Sequence, residues 1–149
     1  MNSTRSVLAA ALALLAGSAR ADPAAEAPTS PPAMREPTMG TICAVALYSA
    51  VQEVGKRCFP GEDAEFQAEL GRAVARLDSY MLSHSDMDQA ALDSLKREQS
   101  LVGAPKAELC SGDPVGLYRA FAGQGSEYLR AETERITARP GPATWGDCL

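Results

Sequence analysis

The sequence predicts an all-α protein: a small up-and-down bundle of four helices, five if the last one breaks, stapled by two disulfides. Three observations carry this expectation. No segment alternates apolar and polar residues for long enough to form a half-buried strand, whereas apolar positions after Thr41 recur at helical spacing. The chain has 149 residues, the size of one ordinary domain. Its four cysteines follow a stretch with the grammar of an export leader, and an even count in an exported chain of this size implies disulfides.

The leader spans residues 1–21. Arg5 supplies the positive start, Val7 to Gly17 is an unbroken apolar or small run, and Ala19-Arg20-Ala21 is an A-x-A cleavage site. Cleavage after Ala21 is expected, with export to a periplasm or beyond. The run from Val7 to Gly17 holds 11 residues, and a hydrocarbon core needs roughly 20, so it does not read as an anchor. Ser18 stands where lipid attachment would need a cysteine. The longest later apolar run, Ile42 to Tyr48, is far too short to cross, so no membrane span is expected in the mature chain. Residues 22–38 carry Pro23, Pro28, Pro31, Pro32 and Pro37 and read as a disordered Pro/Ala linker. Pro28-Thr-Ser-Pro31 has the bare spacing of a PxxP ligand, but a plain tether explains it as well. Residues 39–149 are left as one helical domain.

The formal charge is −5; without the leader, 12 Lys and Arg face 19 Asp and Glu, a net −7. An acidic chain without a basic cluster is a poor partner for nucleic acid.

The first helix is expected from about Thr41 to Arg57. Ile42, Val45, Leu47, Tyr48, Val51 and Val54, with the alanines between them, leave it no polar face over three turns, which places it at the centre. Glu53 meets Lys56 and Arg57 at its solvated exit. The second, from about Glu62 to Ser83, starts after Pro60-Gly61 with acidic residues at the positive end of its dipole. Phe66, Leu70, Val74, Leu77 and Met81 give it the clearest stripe in the chain. The third is expected from about Asp86 to Leu101, capped by Ser85 with Asp88, with Met87, Ala91, Leu95 and Val102 inside. The fourth begins at Asp113-Pro114 and should kink or break at Gly123-Gln124-Gly125, with Ser126 capping a second segment to about Ala138. Leu117, Phe121, Tyr128, Leu129 and Ile136 are its expected core contacts, and Arg130–Glu134 and Glu132–Arg135 its solvated pairs. Pro140 and Pro142 keep the tail out of a helix.

Helix geometry selects the cysteine pairs. Cys43 and Cys58 stand at opposite ends of the first helix, 15 residues and therefore roughly 22 Å apart. A disulfide tolerates about 4.4–6.8 Å between Cα atoms, which excludes that pair and with it Cys110–Cys148. Up-and-down packing then brings Cys110 beside Cys58 and carries Cys148 back to Cys43. The expectation is Cys58–Cys110 nested inside Cys43–Cys148.

Candidate chemistry is sparse. His84, the only histidine, lies in Ser83-His84-Ser85-Asp86-Met87-Asp88 and could pair with Asp88 beside a serine nucleophile. The serines and aspartates there already have work as caps, and no nucleophile elbow is present. Asp86-x-Asp88 lacks the rest of a calcium loop, and the cysteines form no CxxC or CxxCH, so no metal and no cofactor is expected. Glu62, Glu65 and Glu69 read as a solvated helical face rather than an acid–base set. Trp145, on a pinned tail, is the candidate partner-binding residue, although a ring folded over the bundle end next to a disulfide is the simpler explanation. The expected function is that of a small exported helical module without catalytic machinery that binds an exported or periplasmic protein, as inhibitor-, immunity-like or accessory proteins do. A carrier of a small apolar ligand in the bundle core is the alternative, and a hydrolase using His84 comes third.

Overall fold

The computed structural model describes residues 39–146 and Cys148; the leader expected at residues 1–21 and the linker at 22–38 lie outside the described residues. Five helices follow one another: α1 (Thr41–Cys58), α2 (Ala64–His84), α3 (Gln89–Gln99), α4 (Lys106–Leu109) and α5 (Gly112–Thr137). The all-α, disulfide-stapled bundle is therefore the architecture. The structure adds the short α4, which has too few residues to show periodicity, and the last helix divides as expected: Gly125 (φ 85°, ψ 170°) is non-helical and separates two helical segments within α5.

α1 lies at the centre and touches every other helix. Ala44, Val45, Tyr48, Val51 and Val54 are fully buried along it, each larger side chain contributing about 1.5–3 kcal/mol of transfer free energy. α2 adds Phe66, Leu70, Val74, Leu77 and Met81 as its stripe requires, and α5 adds Tyr118, Leu129 and Ile136. α2 packs on both α1 and α5, α3 packs on α1 and α2, and α3 does not touch α5.

Several local expectations shift. α3 starts at Gln89 because Asp88, not Ser85, is the N-cap: its side chain accepts from Ala91 N–H at 2.8 Å. Ser85 instead donates to the carbonyl of Met81 at the end of α2. Within α3 the buried residue is Leu92, while Ala91 is exposed and Met87, Leu95 and Val102 are half-buried. α5 starts after Ser111 rather than at Asp113, and Ser126 bonds Glu65 across to α2 instead of capping. Tyr128 is 51% exposed rather than in the core.

The α1–α2 corner is closed by aromatic packing. Phe59 stacks on Tyr118 at 4.7 Å, Phe66 meets the same ring edge-on, and the Arg119 guanidinium sits 4.0 Å above Phe59. Tyr118 donates to Asp63, and burial together with that carboxylate pushes its hydroxyl up to about 12.

Cys58 pairs with Cys110 at one end of the bundle and Cys43 with Cys148 at the other, with Cα atoms 5.4 Å apart in each. Two disulfides belong to an oxidising, extracellular-type environment. Among the described residues, no helix is long and apolar enough to cross a membrane.

Candidate functional site

Four places gather chemistry or exposed apolar surface. The first is the tail. After α5, Arg139 reaches Met39 by a 2.8 Å hydrogen bond to its carbonyl, and Tyr80 on α2 donates to the carbonyl of Arg139 at 2.8 Å. Ala143 N–H then bonds the carbonyl of His84, and Thr144 accepts from Ile42 N–H at 3.0 Å. That last bond satisfies one of the N–H groups that a helix start leaves unpaired. Met39 and Gly146 form an isolated antiparallel bridge. The approach is so close that a Cβ on Gly40 would lie 1.9 Å from the carbonyl oxygen of Trp145. The backbone of Trp145 is thereby fixed, while its side chain remains 49% exposed.

The second place is the segment around His84. The His84 ring stacks flat on Tyr80 at 3.9 Å, and its Nδ1 lies 3.1 Å from the Tyr80 carbonyl and 2.9 Å from Ser83 Oγ. Nδ1 serves the carbonyl only in the tautomer that carries its proton there, and accepts from Ser83 only in the other. Ser83 donates to the carbonyl of Ser79 at 2.8 Å. Asp88 is occupied as the α3 cap. The geometry orients the His84 ring on Tyr80, and it does not bring His84 and Asp88 together as a pair.

The third is a cavity of about 220 Å³ between α2 and α5, lined by Glu69, Arg72, Ala73, Arg76, Arg130, Thr133 and Glu134. Glu69 is only 4% exposed, against the expectation of a solvated face; Glu62 and Glu65 are exposed. Arg72 and Arg130 converge on Glu69 Oε2, at 2.5 Å and 3.2 Å. Burial raises the carboxyl, but hydrogen bonds and charge from the two guanidiniums outweigh it, so it lies below the usual carboxylate range. Arg76 makes a longer 3.5 Å pair with Glu134, so Glu134 serves Arg76 rather than Arg130. The Glu132–Arg135 pair forms as its spacing requires.

Beside the turn after α3 lies an open apolar groove of about 570 Å³, lined by Leu101, Gly112, Asp113, Pro114, Gly116, Leu117 and Ala120. Leu101 holds a left-handed backbone (φ 57°) with its side chain 42% exposed. Neither the arginine cavity nor this groove is evident from local spacing, because each joins segments distant in the chain.

No family model matches the chain, and no curated protein and no solved structure matches it.

Proposed function

We propose that the protein is a small exported helical module that works by binding a protein partner, without catalytic machinery of its own. The observation that carries this reading is Trp145. A large aromatic ring stands half in solvent on backbone fixed by hydrogen bonds, a bridge and the adjacent Cys43–Cys148 disulfide. Rigidly presented, partly exposed tryptophans dominate binding energy because the ordering cost is already met before association. The leader grammar of residues 1–21, with cleavage after Ala21, and the oxidising environment of the disulfides support a periplasmic or extracellular site of action.

The test compares tagged wild type with Trp145→Ala, each recovered from the native compartment and weighed intact. Wild type should bring down one stoichiometric protein, and the variant should lose it by at least about tenfold, since an anchor of this kind is worth about 2 kcal/mol or more. Equal recovery by both would refute the reading. A second reading, carriage of a small apolar ligand, is favoured by the groove beside Leu101, whose volume is within the range of small-molecule sites. It would show as a bound lipid-like mass whose loss on Leu101→Asp leaves partner recovery intact.

A further inference from the structure

We infer that the cavity between α2 and α5 is a subsite for the carboxylate of an acidic side chain on a polypeptide partner. The inference rests on the partner-binding reading and names the chemistry of one contact in it.

Charge is the first argument. Arg72, Arg76 and Arg130 line the cavity against two carboxylates, Glu69 and Glu134, which leaves an excess of one positive charge on a chain whose formal net charge is −5. Glu127, one turn before Arg130, adds a further acidic neighbour without lining the cavity. The second argument is arrangement. Arg72 and Arg76 are four apart on α2, a like-charge spacing that weakens a helix unless an anion relieves it. Glu69 relieves Arg72, but Arg76 has only the 3.5 Å contact with Glu134, and both of those side chains are more than half exposed.

Donor capacity is the third. Each guanidinium carries five N–H donors in a planar fork suited to a carboxylate. The hydrogen bonds within the cluster use Nε and Nη2 of Arg72 and Nη2 of Arg130, and all three end on the same oxygen of Glu69. The other donors of these two residues, and those of Arg76, make no hydrogen bond within the cluster.

The class of ligand follows from size and charge. A monoanion cancels the local excess, whereas a dianionic phosphate would press a second negative charge against Glu69 and Glu134. A cavity of about 220 Å³ is smaller than the roughly 300–1,000 Å³ that enclose a small-molecule ligand. It accepts the end of a side chain and leaves the rest of the partner outside.

The experiment is an NMR titration at low salt, following arginine Nε–H and backbone amide signals, with a capped hexaglutamate peptide, acetate and inorganic phosphate as probes. Hexaglutamate should give saturable shifts at Arg72, Arg76, Arg130 and the amides around Thr133. Arg76→Gln should weaken it by about tenfold, the loss of one charge-assisted contact. Glu134→Gln should tighten it several-fold by removing the competing carboxylate, a gain that misfolding cannot mimic. Absence of saturable shifts, or unchanged binding in both variants, overturns the proposal. Tighter binding of phosphate overturns the carboxylate assignment, and acetate binding as tightly as the peptide overturns the polypeptide source. Failure here with partner recovery still dependent on Trp145 would remove this subsite alone and leave the partner-binding reading standing.

Discussion

Neutralising Glu69 and truncating the arginines around it act on opposite sides of the same interaction. Glu69→Gln removes charge-assisted hydrogen bonds from Arg72 and Arg130, which are exposed enough to regain water, so the cost at neutral pH should be about 1.5–3 kcal/mol. The pH dependence identifies the mechanism. The folded-state pKa of Glu69 is depressed, so its contribution is present above the unfolded value of about 4.3 and is lost as pH falls through the folded one. Urea unfolding should show wild type well above Glu69→Gln at pH 7, with the gap closing as pH falls below the unfolded value. A gap that stays constant with pH would mean the carboxylate's charge is not what stabilises. The sequence placed Glu69 with Glu62 and Glu65 on a wet face because one of its two arginine partners, Arg130, comes from α5, 61 residues away. The local signs were Arg72 three residues on and a row of Glu69, Ala73 and Tyr80 beside the main stripe of α2, all three of which are buried.

At the scale of elements, the glycines of α5 separate backbone freedom from helix propensity. Gly125 has φ 85° and ψ 170°, a region only glycine enters readily, and a Cβ there would meet nothing within 4 Å. Gly125→Ala should therefore cost about 1–3 kcal/mol through strain alone. Gly123 has open space around its Cα and no positive φ, so Gly123→Ala should stabilise by roughly 0.5–1 kcal/mol. Thermal unfolding that ranks the two variants the other way round would place the break at the wrong glycine. The four long helices were legible because apolar periodicity survives over three or more turns. α4 was not, since four residues between Pro105 and Cys110 carry no period. In α5 the buried residues are Tyr118, Leu129, Thr133 and Ile136, and Leu117 and Phe121 pack half-buried against the same core, whereas Tyr128, adjacent to Leu129, is exposed. Pattern alone could not choose between adjacent apolar rows, and so it turned Tyr128 inward.

For the molecule as a whole, the question is what holds the tail, since Trp145 is useful only if it is rigid. The two disulfides span 52 and 105 residues, and the chain-entropy model assigns them about 4 and about 5 kcal/mol as upper-range values. Stability and placement are nevertheless separable at the Cys43–Cys148 end. The tail is also held by Tyr80, by the Ala143–His84 and Ile42–Thr144 backbone bonds and by the Met39–Gly146 bridge. Cys43→Ala with Cys148→Ser should thus lower global stability by several kcal/mol while leaving the tail docked. Hydrogen exchange at Ile42 N–H reads this directly, because that amide is protected only while Thr144 accepts its bond. In the disulfide variant its protection should fall no further than global stability falls. Gly40→Ala should do the reverse: a Cβ placed 1.9 Å from the Trp145 carbonyl lifts the tail away, and Ile42 loses protection although both disulfides are intact. Complete loss of Ile42 protection in the disulfide variant, below its global limit, would show that the covalent bond rather than the hydrogen bonds positions Trp145.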